Sequence, residues 1–282
     1  MSAARISAAL AIVLASSGAG HSAPAPSKAL AVCADPSNLP YSDEREGGFE
    51  NRIAALLAAD LNATLRYTWN MERRSFLRRT LKAHACDVVM AAPTGLPALR
   101  TTRPYFTSSY VFVTARSADL HLNGFDDPAL RQLRIGLQLV GADGANTPPA
   151  MSLARRGITA NVRGYPMWDA EDVVNPQGRV IDAVADGEID VAIVWGPFAG
   201  YFAKAHKDAL SIAPVMGDPA LPGVPFAFSM SIGVRQDDAE LAAELEGALD
   251  RHRDEIHAIL VDYGVPLAPA EAAAQTLTVE PK

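Results

Sequence analysis

Apolar residues along the first third of this chain alternate between strand-like runs and helical stripes. Residues 29–34 predict a strand, and residues 49–62 place Ile53, Leu57 and Leu61 on one helical face. Two further strand-like runs, residues 64–69 and 86–92, flank a basic amphipathic stretch. Because strands and helices alternate, we predict a parallel sheet joined by right-handed crossovers.

A second series of the same kind begins after Ala115 and ends in the apolar strand of residues 190–195. Residues 228–235 then predict a strand that returns to the first series, and one long helix follows it. The order predicts an α/β fold with two lobes and a hinge between them. A ligand would bind between the lobes, where the strands end. We assign residues 29–114 plus 226–267 to lobe 1, 115–225 to lobe 2 and 268–282 to a flexible tail.

The N-terminal residues have the pattern of an export signal. Arg5 is followed by an apolar run from Ile6 to Ala15 and then by small residues. This run is too short to span a membrane. We predict that residues 1–19 form a signal peptide cleaved after Ala19. The mature protein is then periplasmic and has no membrane insertion.

Composition narrows the range of functions. Hydrophobic residues make up 49% of the chain, which is typical of a folded globular protein. The net charge of −7 argues against nucleic acid as a partner. The six histidines show no metal-ligand spacing, and no nucleophile stands at a useful distance from a base. We therefore expect no metal, no cofactor and no enzymatic activity.

Cys33 and Cys86 are the two cysteines of the chain. In an exported protein, such a pair predicts a disulfide, and the predicted strand order makes their strands neighbours. The alternative is a pair of buried thiols that act as small apolar residues.

Two segments resemble the polar-amino-acid-binding proteins of the periplasm. These segments are "YSDEREGGFENRIAALLAADL" and "RTTRPYFTSSYVF". The resemblance implies a class II periplasmic-binding-protein fold, with Tyr41 stacking on the ligand and Tyr110 leading from the cleft into the hinge. It also implies that Arg100 or Arg103 binds the ligand carboxylate. The alternatives are loop packing for Tyr41, a solvated charge at Arg100 and a structural ion pair at Arg103.

The strand of residues 190–195 departs from the amino-acid-binding pattern. In that family the strand ends in an acidic residue that holds the ligand ammonium, whereas here it ends in Trp195 and Gly196. Trp195 either lines the cleft or plugs the strand end as a core residue. Half of the amino-acid site is therefore missing, and we predict that this protein is not an ordinary amino-acid carrier.

The segments that depart from the amino-acid-binding pattern resemble those of a more particular family, the MxaJ/XoxJ-type periplasmic proteins. The most specific strings are "WGPFAGYFA" and "YGVPLAP", and the resemblance covers about residues 29–269. It implies an accessory role beside a PQQ-dependent methanol dehydrogenase, with the dehydrogenase as partner and its cytochrome c as a further candidate. The subtype stays open, and we favour XoxJ. The alternative function is a receptor of an ABC transporter for a small organic anion.

Overall fold

A computed structural model describes residues 28–71, 75–139, 147–167, 175–215 and 217–274. The predicted signal peptide and residues 275–282 of the predicted tail lie outside the described residues. No helix in the described ranges is long and apolar enough to cross a membrane.

The regular elements follow the alternation predicted from the sequence. In chain order they are β1 (Lys28–Ala34), β2 (Ser37–Asn38), β3 (Ser42–Asp43), α1 (Phe49–Asp60), β4 (Ala63–Trp69), α2 (Phe76–Arg79), β5 (Val88–Pro93), β6 (Arg100–Thr101), β7 (Phe106–Ala115), β8 (Ile135–Leu139), α3 (Pro148–Arg155), β9 (Val162–Pro166), α4 (Arg179–Ala185), β10 (Val191–Trp195), α5 (Gly196–Ala203), β11 (Leu210–Val215), β12 (Ala227–Val234), α6 (Ala239–Arg251), α7 (Arg253–Asp262) and α8 (Ala270–Ala274).

The first sheet has the strand order β4-β1-β5-β12-β7, with β6 at the side of β12. Strand β1 lies between β4 and β5 and is parallel to both, as the β-α-β-α-β pattern predicts. Strand β12 is the returning strand, and it pairs antiparallel with β5 and β7. Helices α1, α6 and α7 supply much of the apolar core that covers this sheet.

The second sheet has the order β7-β10-β8-β9, with β11 on the other side of β7. Strand β7 therefore serves both sheets. Its residues Phe106–Ser109 pair with β12, and its residues Tyr110–Ala115 pair with β10 and β11. The α/β fold class predicted from the sequence is confirmed. The lobe boundaries at 114/115 and 225/226 stay predictions, because one strand belongs to both sheets.

Cys33 and Cys86 form a disulfide with a Cα–Cα distance of 5.5 Å. Cys33 lies on β1 and pairs in register with Val89 of β5, so the predicted neighbouring strands bring the two thiols together. Both cysteines are buried within a small apolar cluster. The prediction of a disulfide is confirmed over that of two free thiols.

The C-terminal region differs from the prediction at its long helix. The predicted long helix is two helices, α6 and α7, because the backbone leaves helical geometry at His252 (φ −107°, ψ 20°). The imidazole Nε2 of His252 lies 2.9 Å from an Asp60 carboxylate oxygen. The first residues of the predicted flexible tail contact β7, and the flexibility of the tail stays a prediction. The amide of Ala268 donates to the carbonyl of Thr107 over 2.9 Å, and α8 follows.

Candidate functional site

A cavity of about 490 Å³ lies where strands of the two sheets end. β1 and β5 contribute from the first sheet, and β8 and β10 contribute from the second. Parallel strands that end at one crevice are the usual place for a ligand in an α/β protein. The residues that line it are Cys33, Ala34, Asp35, Asn38, Tyr41, Ser42, Glu50, Phe76, Val89, Met90, Ala91, Tyr110, Gln138, Met167, Trp195, Phe198 and Met230.

Trp195 connects the two sides of this cavity. Its indole Nε1 donates a hydrogen bond to the hydroxyl oxygen of Tyr41 over 2.5 Å. Its backbone amide donates to Oε1 of Gln138 over 3.0 Å. Its ring packs edge-on against Tyr110 and Phe228. The side chain therefore lines the cavity and also packs against the apolar core.

Tyr41 packs against aromatic side chains, and its backbone lies against the turn that leads into α1. Its ring packs against Phe49 and Phe198, with centroid distances of 4.8 and 5.5 Å. Burial raises the pKa of the Tyr41 hydroxyl well above its ordinary value, so the hydroxyl stays neutral. The chain turns tightly into α1 at Gly48, where a Cβ would lie 2.0 Å from the Tyr41 carbonyl oxygen. Only glycine fits at this turn.

Glu50 is the unexpected polar residue of the cavity. It stands in the first turn of α1, and 9% of it is exposed. Burial raises the pKa of its carboxyl to about 8, so the side chain is neutral at neutral pH. Its Oε1 has no hydrogen-bond partner among the described residues, and neither has Nε2 of Gln138, which also lines the cavity.

Three predicted site residues, Tyr41, Tyr110 and Trp195, line one cavity. Gly196, the fourth, follows Trp195 in the chain, is not among the lining residues and has a packing role. A Cβ on Gly196 would lie 2.6 Å from the Ser109 carbonyl oxygen, so glycine lets α5 begin against β7. These side chains lie together because β7 and β10 pair in register at Tyr110 and Trp195.

The structure does not bring Arg100 and Arg103 to this cavity. Nε of Arg100 donates to the backbone carbonyl of Gln236 over 3.0 Å at the edge of the first sheet. Arg103 is exposed and forms ion pairs with Glu246 and Asp250 of α6. This matches the alternative of a structural ion pair at Arg103. Among the described residues that line the cavity, none is Arg or Lys.

Sequence analysis overlooked Glu50 and Gln138 as cavity residues. Glu50 was visible as the acidic residue that follows Gly48 and Phe49, at the place where a helix begins. Gln138 was the polar residue near the end of an otherwise apolar strand, β8. Within the described ranges, no group of His, Cys, Asp and Glu has the arrangement of a metal site.

A second contact joins the two predicted lobes beside the cavity, and we call it the interlobe contact. Helix α5 packs on the turn that follows α7, where a Cβ on Gly200 would lie 1.8 Å from the Gly264 carbonyl oxygen. Tyr201 stacks on Tyr263 with a centroid distance of 5.9 Å. Lys204 Nζ donates to the backbone carbonyl of Asp262. The interlobe contact is thus built by the strings "WGPFAGYFA" and "YGVPLAP".

Two mixed sheets that share β7, with a cavity at the ends of their strands, define the periplasmic-binding-protein fold. An ancestral cationic amino-acid solute-binding protein has the same fold, with a TM-score of 0.63 and 16% identity over 84% of this chain and 95% of that chain. No family model matches the sequence.

The relatives are more specific than the fold. Protein MoxJ of Methylorubrum extorquens is 30% identical over 267 residues, which cover 90% of this chain and 87% of MoxJ. The crystal structure of the periplasmic binding protein XoxJ from Methylobacterium extorquens AM1 has a TM-score of 0.70 and 32% identity, over 85% of this chain and 99% of XoxJ. MxaJ from Methlophaga aminisulfidivorans MPT has a TM-score of 0.72 and 26% identity, over 85% of this chain and all of MxaJ. This chain belongs to the MoxJ family, which is the MxaJ/XoxJ type.

Proposed function

We propose that this chain is a periplasmic accessory protein that binds, or tunes, a PQQ-dependent methanol dehydrogenase. Its membership of the MoxJ family supports this function, as does the sequence resemblance to proteins that act beside such enzymes. The cytochrome c of the same system is a second candidate partner. We also propose that Tyr41, Tyr110 and Trp195 are the cleft residues and that residues 1–19 direct export to the periplasm.

The interlobe contact is the observation that carries this proposal. A transport receptor opens and closes about its hinge to take up and release its ligand. Here the backbones of Gly200 and Gly264 approach so closely that no side chain fits between them. Tyr201, Tyr263 and Lys204 extend the same contact. Lobes packed in this way suit a protein that presents one fixed surface to a partner.

A second candidate is the receptor of an ABC transporter for a small organic anion. The cavity supports it, since its volume of about 490 Å³ is typical of a small-molecule site. The lining of the cavity opposes it, because the described lining residues offer an anion no Arg or Lys. A buried anion without a cation or sufficient hydrogen bonds is unfavourable.

The test is a pull-down with the purified dehydrogenase, together with its turnover and its maturation in the presence and absence of the mature chain. Partly exposed aromatic residues are frequent anchors at interfaces, and Tyr201 lies on the interlobe contact. We expect Tyr201→Ala to weaken the association by about 2 kcal/mol. The matched control is Trp69→Ala on β4, which removes one ring of another stacked pair, Tyr67 and Trp69.

We expect the control variant to bind the dehydrogenase as the unmodified chain does. Absence of a complex at micromolar concentrations, with unchanged turnover and maturation, contradicts the accessory role and favours the transport receptor. If both variants lose the same binding affinity and the same melting temperature, the surface around Tyr201 is not where the partner binds.

A further inference from the structure

Glu50 and Gln138 place two buried, unpaired polar groups in one largely apolar cavity. Glu50 is 9% exposed and Gln138 is 4% exposed, and both line the cavity. Oε1 of Glu50 and Nε2 of Gln138 have no hydrogen-bond partner in the part of the chain that the structure describes. Buried polar groups in proteins are nearly always paired. Two such groups in the same cavity therefore point to a ligand that pairs with them.

The positions of both side chains are set by their neighbours. Oε1 of Gln138 accepts a hydrogen bond from the backbone amide of Trp195, which leaves the NH₂ end as the unpaired group. Glu50 belongs to the first turn of α1, between the buried ring of Phe49 and the buried amide of Asn51. Gln138 therefore offers a hydrogen-bond donor, and Glu50 offers a carboxyl oxygen.

The described cavity lining offers no positive charge to an anion, and its other carboxyl side chain, Asp35, already accepts a hydrogen bond from the backbone amide of Ser37 over 2.8 Å. Burial raises the pKa of Glu50 to about 8, so this carboxyl is uncharged at neutral pH. The described lining residues supply no Arg or Lys for an anion. Most of the remaining wall is apolar or aromatic, and the side chains that form it are Phe76, Val89, Met90, Met167, Phe198 and Met230.

We propose that this cavity binds an uncharged, largely apolar small molecule that carries a carboxamide. The carboxamide oxygen accepts a hydrogen bond from Nε2 of Gln138, and its N–H donates to the carboxyl of Glu50. The apolar part packs against the methionine and aromatic side chains. This proposal does not depend on the dehydrogenase partnership, because the groups that carry it lie inside the cavity, whereas the proposed partner surface around Tyr201 lies outside it.

The experiment is a calorimetric titration of the mature chain at neutral pH with three probes of the same size. Benzamide carries a neutral carboxamide, benzoate carries a negative charge and benzylamine carries a positive charge on the same ring. We expect benzamide to bind at least about tenfold more tightly than either charged probe. Equal or tighter binding of benzoate or benzylamine overturns the proposal, and so does the absence of binding by all three at millimolar concentration.

A matched pair of variants tests the role of Glu50. Glu50→Gln keeps one donor and one acceptor in nearly the same shape, so we expect benzamide affinity within about threefold of the unmodified chain. Glu50→Leu removes both groups, so we expect a loss of about tenfold or more. Melting curves establish that both variants fold. If Glu50→Leu folds and binds benzamide as tightly as Glu50→Gln, then Glu50 does not contact the ligand and the proposal is wrong.

Discussion

The indole Nε1 of Trp195 donates a hydrogen bond to the hydroxyl oxygen of Tyr41 over 2.5 Å, although 154 residues separate them in the chain. Trp195 ends β10 in the second sheet, and Tyr41 lies in the loop after β1 of the first sheet. The strand end where an amino-acid-binding protein has an acidic residue therefore carries an indole whose polar atom already has a partner. This bond joins the two predicted lobes across the cavity.

The hydrogen bond between Trp195 and Tyr41 predicts energetic coupling of the two residues. Trp195→Phe and Tyr41→Phe each remove one partner and keep a ring in place. We expect the double variant to be less destabilised than the sum of the single variants by about 0.5–1.5 kcal/mol. Urea unfolding of the four proteins measures this energy. Strict additivity would show that the bond contributes nothing to the stability of the fold.

The residues that line the cavity predict weak binding of amino acids. The site lacks a carboxylate at position 195 for the ligand ammonium, and Arg100 and Arg103 lie outside the cavity. We expect the common free amino acids to bind no more tightly than about 1 mM, which is roughly 4 kcal/mol of binding free energy. Calorimetric titration measures it. Micromolar binding of any of them contradicts the prediction.

The interlobe contact predicts that alanine changes the stability of the fold in opposite directions at two helical glycines, Gly200 and Gly247. Gly200→Ala places a Cβ 1.8 Å from the Gly264 carbonyl oxygen, which the backbone must move to avoid. We expect a loss of about 1–3 kcal/mol in the free energy of unfolding.

The matched control is Gly247→Ala in α6, where the new Cβ meets the flexible end of Arg251 at 3.1 Å. We expect this control to gain about 0.5–1 kcal/mol, because alanine favours a helix over glycine. Thermal or urea unfolding compares the two. A Gly200→Ala protein as stable as the control would show that the two lobes separate easily.

The ion pair of Arg156 and Asp218 predicts part of the acid sensitivity of the fold. Both carboxylate oxygens of Asp218 accept from Arg156, over 2.6 and 2.7 Å, and Asp218 is 7% exposed. These bonds lower the pKa of Asp218 to about 2 from an ordinary 3.8. A depressed pKa in the folded state stabilises the fold above the unfolded pKa. That stability, about 2 kcal/mol, is lost as the pH falls from about 5 towards 2.

Asp218→Asn tests this pH dependence. We expect the variant to be less stable at neutral pH and to lose less stability between about pH 5 and 2 than the unmodified chain. Asp250→Asn is the control, because Asp250 pairs with the exposed Arg103 at the surface. Its effect should be smaller, since solvent screens surface pairs. Parallel stability profiles for the unmodified chain and Asp218→Asn would contradict the prediction.

The disulfide predicts that the stability of the fold depends strongly on the oxidation of its two cysteines. Cys33 and Cys86 close a loop with a sequence separation of 53 residues. In the chain-entropy model, such a bridge contributes about 4 kcal/mol. We expect no free thiol in the denatured, unreduced protein, and a fall in melting temperature when both cysteines are replaced by alanine. Two reactive thiols in the unreduced protein would rule the bridge out.

Sequence patterns predicted the elements of this fold and the order of several strands. The period of the apolar residues separates strands from helices, and the β-α-β alternation places β1 between β4 and β5. The disulfide follows from that order, because Cys33 and Cys86 then stand on neighbouring strands. The departure at Trp195 was also visible, since it depends on the identity of a single residue at a strand end.

The tertiary structure decided the contents of the cavity. Arg100 and Arg103 lie in a segment that resembles the carboxylate-binding segment of amino-acid-binding proteins, but their side chains contact Gln236 and α6 at the surface. Glu50 is neutral because packing buries it, and no property of residues 49–51 alone shows that burial. His252, which stands between α6 and α7, likewise contacts Asp60, 192 residues away in the chain.

By itself, then, the sequence determined the α/β class, the strand neighbours and the departure of residue 195 from the amino-acid-binding pattern, because these depend on periodicity and on residue type. The structure decided that Tyr41 bonds to Trp195 and that Gly200 meets Gly264. These contacts join residues 154 and 64 positions apart, and such pairs are set by how the two sheets pack around β7. Local sequence carries no record of that packing.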